Sequence, residues 1–433
     1  MSNRTITVKD VCDLNFETIG NTSQPRIIKY LDTGSITRNR IDKIQQLDRS
    51  IEPFPSRAQR KVKNETIIYS TVRPIQEHFG FLIEPDNNLI VSTGFLTIDV
   101  KDKDIEPKFL YYVITQKGIT NYLQTIATNN VSSYPSINPD DLGNLKFNIP
   151  YDKNVQQRIA AVLSALDAKI ELNNRINAEL EAMAKTLYDY WFVQFDFPDK
   201  NGKPYKSSGG KMVWNAELKR EIPMGWESAK MSEWIDIDKS GDWGKAEPEG
   251  KFTLKVTCFR GADINGLNGL DELKPPVRYI HEKNAFKILK SHDLIIEISG
   301  GSPTQSTGRL AFITDATIKR FENPIICSNF CRPVSMKNNK LLYNFAYYWN
   351  SLYENGVFFG YEGKTSGIKN LLLDSFVNSY FTVVPETDIV NQFYDFMENI
   401  QEKKQTALAE NQNLIELRGW LLPMLMNGQV RVH

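Results

Sequence analysis

Val155-QQRIAAVLSALDAKIELNNRINAELEAMAKTLYDYWF-Val193 and Asn391-QFYDFMENIQEKKQTALAENQNLIELRGWLLPML-Met426 are the stretches on which the reading of the fold turns. In the first, Ile159, Val162, Leu166, Lys169, Asn173, Ile176, Leu180, Met183 and Leu187 recur at alternating steps of three and four. Sustained over roughly four heptads, that period describes the seam of a coiled coil. With Asn174 laid on Asn411, an offset of about 237 residues, Ile159 falls on Phe396, Leu163 on Ile400, Ile170 on Ala407 and Leu180 on Leu417. The chain therefore reads as a duplication in which each globular stretch runs into a long helix. A helix of about 40 residues spans roughly 60 Å, more than one globule can use, so the two helices are expected to pair antiparallel with the globules at opposite ends. The positions expected in that pair, or in docking partner proteins to it, are Ile159, Leu166, Asn173, Leu180 and Leu187 on the first helix and Ile400, Asn411 and Leu417 on the second. A buried asparagine such as Asn173 or Asn411 sets register at some cost in stability.

Outward from the helices, the pattern predicts an α+β protein of two mixed domains. Residues 1–152 form the first globule, with strands at Thr66–Arg73, Leu89–Asp99 and Leu145–Pro150 and a helix at Pro107–Thr128. Residues 153–197 carry the first long helix, and the turn-rich Phe197-PDKNGKPYKSSGG-Lys211 marks the boundary with the second globule. Residues 198–385 repeat the order, with strands at Asp293–Ser299, Gly308–Asp315, Pro324–Ser335 and Phe376–Pro385 and a helix at Lys340–Asn355. Residues 386–433 hold the second helix and a tail.

Composition narrows the class. The 433 residues carry 52 basic and 52 acidic side chains and 41% hydrophobic residues, the balance of an ordinary globular protein with room for two cores. No apolar run approaches the roughly 18 residues of a membrane span. The first ten residues lack the apolar core of a secretory signal, which places the chain in the cytoplasm as an expectation. Four cysteines in a chain of this length do not make a disulfide framework, and they are expected to be buried free thiols. Zero net charge is unlike a polyanion binder, but basic residues gather between Arg26 and Lys63, including Arg38, Arg40, Arg60 and Lys61.

Motifs for catalysis are missing. The Gly-Lys pairs at 202, 210, 244, 250 and 363 lack the upstream glycine of a phosphate loop, and no strand-associated Gly-x-Gly-x-x-Gly follows. No Asn-Pro-Pro-aromatic motif of an adenine methyltransferase is present, and four scattered histidines make no triad. What stands out are polar loops suited to a polyanion or to base edges. Gly300 to Arg309 offers Gly300, Gly301, Ser302, Gln305, Ser306 and Arg309. Gly363-KTSGIK-Asn370 offers Lys364, Thr365, Ser366 and Lys369, and its counterpart by order in the first half is Val131-SSYPSIN-Pro139 with Ser133, Tyr134 and Ser136. A self-contained DNA-modifying enzyme and a coiled-coil structural adaptor are the rival readings; the first needs a cofactor or metal motif, the second needs no base reader.

The helix Gln156-QRIAAVLSALDAKIELNNRINAELEAMAKTLYDYWFVQFDF-Pro198, the opening Glu221-IPMGW-Glu227, the internal Ile296-EISGGSPTQSTGR-Leu310 and the C-terminal Leu421-LPMLMNGQVRV-His433 closely resemble the specificity subunit of type I restriction-modification systems. The second helix departs from the first at Lys403, Lys404 and Gln405, where the first has Leu166 to Ala168. The resemblance implies a non-catalytic, DNA-associated subunit of prokaryotic cytoplasm with two target-recognition domains, each reading one half of a split, asymmetric DNA sequence. It implies that the helices act as a ruler and dock two modification subunits, which bind S-adenosylmethionine and methylate adenine, while restriction subunits use ATP and Mg. No cofactor or metal is expected in this chain itself.

Overall fold

The computed structural model describes residues 3–20, 25–129, 135–236, 239–271, 273–302, 304–365, 367–426, 428–430 and 432. Two helices dominate it, α1 at Lys153–Tyr188 and α2 at Thr387–Met426. Helix α1 opens where Asp152 accepts the Asn154 backbone N–H at 2.9 Å, an N-cap that satisfies one of the orphan donors of the first turn. It ends in a π-turn, Asp189–Val193, which drives Trp191 and Phe192 into an aromatic core. The chain forms two compact units, Met1–Lys169 with Leu414–His433, and Ile170–Asn413. Each contains a globule and a section of both helices.

In the first unit, Asn3–Thr7 pairs antiparallel with Lys146–Pro150. An antiparallel sheet runs in the order Cys12–Leu14, Phe95–Val100, Ile67–Ser70, Phe79–Phe81. A second sheet has the order Gln45–Asp48, Ile27–Leu31, Leu89–Ser92, Ala58–Lys61, with Leu89–Ser92 parallel to Ile27–Leu31. Val155, Ile159, Ala160 and Leu163 of α1 and Leu425 of α2 join the core built on Val8, Leu96, Phe109 and Leu110. Burying each large apolar side chain is worth roughly 1.5 to 3 kcal/mol, so this end of the helix pair is part of the globule rather than a free rod.

The second unit repeats the order of both sheets, the second of them with three strands instead of four. Glu227–Lys230 pairs antiparallel with Phe381–Val384. An antiparallel sheet runs Ile235–Asp236, Cys331–Met336, Leu294–Glu297, Leu310–Phe312. Beside it lies Val277–His281, Phe252–Phe259, Ile325–Cys327, the last two parallel. The duplication inferred from the helices is thus also a duplication of sheet order. Tyr188, Trp191 and Phe192 after α1 and Phe393 of α2 pack with Trp226, Tyr343 and Trp349 in the largest core.

Several expected elements are divided by tertiary contacts. Leu89–Asp99 is two strands, Leu89–Ser92 and Phe95–Val100, in different sheets, and the break falls at Gly94, where a Cβ would lie 2.9 Å from Thr33. Pro107–Thr128 is two helices, Pro107–Ile114 and Lys117–Asn129. Pro324–Ser335 splits at a turn closed by Cys331 N–H on the Ser328 carbonyl, 2.9 Å. Phe376–Pro385 begins as helix, Leu373–Ser379, because Phe376 must enter a cluster with Phe358 at 5.0 Å and Trp349 at 5.5 Å; burial outweighs β-propensity. The four cysteines are buried and free, and burial pushes the Cys12 and Cys258 thiols up to about 12. Among the described residues no helix is long and apolar enough to cross a membrane.

The seam is also narrower than the heptad reading. In the second unit, Asn173, Asn177, Ala184 and Tyr188 of α1 are buried and Leu180 and Leu187 partly so, whereas Ile176 and Met183 are 41% and 54% exposed. Pairing there is antiparallel: Asn173 donates to Asn411 at 2.9 Å and Glu181 pairs with Lys404. Gln405 accepts from Arg320 at 2.8 Å, so the departure at Lys403 to Gln405 serves one cross-helix ion pair and one contact to the globule.

Candidate nucleic-acid interface

In the second unit the two polar loops meet. Ser299–Gly300, which continues the strand Leu294–Glu297, pairs with Ile368–Leu371, and that strand pairs in turn with Glu362–Thr365. Gly300 lies opposite Lys369, and Ser299 Oγ donates to Asn370 Oδ1 at 2.6 Å. Glu362 accepts from the Thr307 backbone N–H at 2.7 Å and from its hydroxyl at 3.0 Å, and ion-pairs with Lys369 at 3.3 Å. Lys369 also donates to the Gln305 carbonyl at 3.1 Å. Both Glu362 and Lys369 are almost wholly covered, so their charges serve each other and the loop backbone.

Arg309 is held the same way. Its Nε and Nη2 donate to the two oxygens of buried Glu297 at 2.8 and 2.7 Å, and this bidentate bond raises the guanidinium pKa further above its ordinary value. Gly261 leaves room for that carboxylate, since a Cβ there would lie 2.6 Å from Glu297 Oε1. Gly308 has φ +108°, a Cβ on it would meet the Phe358 ring at 2.7 Å, and its carbonyl accepts from buried Trp349 at 2.6 Å. A side chain at 308 is excluded by conformation and by space. Ser306 and Thr307 are buried; Gly301, Thr304 and Gln305 are exposed and Gly300 and Ser302 half-exposed.

The loop thus sorts its sequence-level candidates. Arg309, Lys369 and Ser306 are internal supports, not outward donors; Thr304 and Gln305 are exposed, and half-exposed Ser302 accepts the Gln305 backbone N–H on its hydroxyl at 3.2 Å. Ser366 lies outside the described residues, as do the side chains of Lys364 and Thr365. Two aromatics missed in the sequence adjoin the loop. Phe330, 55% exposed, has a carbonyl that accepts from Ile298 and Ser299 N–H, and exposed Phe359 lies 4.9 Å from the Lys369 ammonium. Their exposure is set by tertiary packing and has no signal in the sequence.

The first unit holds the counterpart. Val72, just after Ile67–Ser70, bridges Ser136; Arg73 N–H donates to the Pro135 carbonyl and Ile137 N–H to Thr71, both at 2.9 Å. The loop before the closing strand therefore pairs with the segment after the corresponding central strand in both halves. Ser133 and Tyr134 lie outside the described residues. The basic cluster is dispersed: Arg38 and Arg40 sit on a hairpin beside Phe79–Phe81, and Arg60 and Lys61 on the edge strand Ala58–Lys61 of the other sheet. Arg38 pairs with Glu77, Arg40 with Asp42 at 3.2 Å and Lys61 with Glu17 at 3.5 Å. Arg60 is half-buried, and burial pulls its pKa down.

On the helices, Ile159 and Ile400 belong to the cores of their globules, Leu166 is half-buried, Leu180 and Leu187 pack against the second core, and Leu417 is 40% exposed. In the second unit Met183, Leu187, Tyr190 and Phe396 line an open cleft of about 450 Å³. Among the described residues no group of His, Cys, Asp or Glu is arranged to hold a metal ion.

Residues 3–182 match the family model of the type I restriction modification DNA specificity domain. The chain is 25% identical to the type I restriction enzyme HindI specificity subunit of Haemophilus influenzae, over 94% of this chain and 95% of that protein. It is also 25% identical to the type I restriction enzyme MjaIX specificity subunit of Methanocaldococcus jannaschii, over 85% of this chain and 78% of that one. Among solved structures, the S subunit of a type I restriction-modification system from M. genitalium shares the fold with a TM-score of 0.55, covering 98% of this chain and 96% of that chain at 15% identity.

Proposed function

We propose that the chain is a type I restriction-modification specificity subunit, each of whose halves reads one part of a bipartite, asymmetric DNA target while the chain itself performs no chemistry. The observation that supports this reading is the recurrence, in both halves, of one sheet order with a polar loop paired to the segment after the central strand. In the second half the reading surface is the loop carrying Ser302, Thr304 and Gln305, flanked by Phe330 and Phe359. An amide reads adenine N6 and N7 as a bidentate pair, and hydroxyls contact either base edges or phosphates. Internal ion pairs hold the loop backbone, so its outward groups are pre-positioned at little further entropic cost.

Exposed apolar side chains of the helix sections, among them Met183, Tyr190 and Phe396 in the second unit and Trp420 in the first, are the docking surface for two modification subunits. Those subunits bring S-adenosylmethionine and methylate adenine, and restriction subunits with ATP and Mg complete the complex on cytoplasmic DNA. With partners sharing the phosphate contacts, a chain of zero net charge suffices.

The test is a map of methylated sites produced by the chain assembled with its modification subunits. A two-part motif with an unread spacer is expected, and exchange of residues 1–150 for those of another family member should alter one part alone. Alteration of both parts, or of neither, overturns the reading.

A further inference from the structure

Asn174 and Asn411 are equivalent under the duplication, and they also touch: Asn411 Nδ2 donates to Asn174 Oδ1 at 2.8 Å. In an antiparallel pair of duplicated helices that meet at these residues, a position seven before one asparagine comes opposite the position seven after the other. Seven residues to either side of Asn174 on α1 stand Asp167 and Glu181, both acidic. Seven residues to either side of Asn411 on α2 stand Lys404 and Arg418, both basic. The contacts within each unit follow this spacing. In the first unit Arg418 Nη1 lies 2.6 Å from Asp167 Oδ1; in the second, buried Lys404 pairs with Glu181. The duplication maps one ion pair onto the other with its polarity reversed.

The apolar positions do not make this distinction. Leu163 corresponds to Ile400 and Leu180 to Leu417, so shape alone would let either helix pair with another copy of itself. Charge forbids it. Two copies of α1, antiparallel about Asn174, would set Asp167 opposite Glu181 twice; two copies of α2 about Asn411 would set Lys404 opposite Arg418 twice. Repulsion at such flanking positions is the means by which paired helices choose partners.

We infer that these four residues form a charge code under which α1 of any copy of this chain pairs only with an α2, never with another α1. The kind of partner this surface fits is an unlike helix, whether from the same chain or from a second copy. The inference rests on the helix contacts and is independent of what the globules bind.

The test uses full-length chains. D167K/E181K makes both helices basic and K404E/R418E makes both acidic; each alone should melt about 4 °C or more below the parent. The chain carrying all four substitutions inverts the code and should recover most of that loss, although the acceptor that Asp167 offers to Tyr112 at 2.7 Å is gone. Co-expressed with different tags, D167K/E181K should co-purify with K404E/R418E at least about tenfold more than two differently tagged copies of D167K/E181K do with each other. A fourfold variant as labile as the double variants, or equal recovery of like and unlike copies, overturns the inference.

Discussion

A guanidinium in a polar loop reads as a phosphate or base contact, yet Arg309 is committed to Glu297, which is buried and would otherwise carry an uncompensated charge. Removing one partner of such a pair costs about 3 to 5 kcal/mol because the other charge stays behind in a poorly solvated site. Arg309→Ala is therefore expected to lower the melting temperature and to weaken binding to all DNA sequences together by disordering the loop. Gln305 is the contrasting case. Its carbonyl is held by Lys369 while its side chain is exposed, so Gln305→Ala should leave the melting temperature unchanged and relax preference at one base pair by about 1 to 3 kcal/mol. Thermal melting alongside competition binding with single-base variants separates the two, and a stability loss in Gln305→Ala or none in Arg309→Ala would count against this division of roles.

At the scale of elements, the long helices combine two tasks that their heptad pattern does not separate. Val155, Ile159 and Leu163 are core residues of the first globule, and Gln156 binds the Glu106 N–H at 2.9 Å and the Pro150 carbonyl at 2.9 Å. Insertion before Gln156 would tear that core. The division between the units passes through Lys169–Ile170 on α1 and Asn413–Leu414 on α2, clear of both globular cores. Four helix-forming residues added at both places lengthen the helices by about 6 Å at roughly 1.5 Å per residue. If helix length sets the unread spacer, methylation mapping of the assembled variant should show a spacer longer by one or two base pairs, at about 3.4 Å per pair, with both half-sites retained. An active complex with an unaltered spacer would refute the ruler.

For the whole molecule, the duplicated sheets and the shared loop position support the proposal of two readers on one chain, with the chemistry supplied by partner subunits. Purified alone, the chain is expected to transfer no methyl group from S-adenosylmethionine to duplex DNA and to do so only when modification subunits are added. Tritium incorporation into DNA with and without those subunits checks this, and turnover by the isolated chain would refute it.

What the sequence by itself determined is what depends on short-range periodicity. The three-and-four spacing marked the first long helix, the offset from Asn174 to Asn411 marked the second and revealed the duplication, and the order of strands and loops made Val131–Pro139 the counterpart of Gly363–Asn370. Only the tertiary structure decided which side of each pattern is used. Ile176 and Met183 keep the heptad step but turn outward, because the buried face of α1 follows Asn177, Ala184 and Tyr188. Phe376 is helical because its ring is needed in a cluster with Tyr361, Phe358 and Trp349, fifteen to 27 residues away. Arg309 and Lys369 look like free donors until Glu297 and Glu362 are brought beside them, in the latter case against a loop 55 residues distant. Periodicity is written in neighbours along the chain, whereas burial and charge pairing depend on residues that only folding makes neighbours.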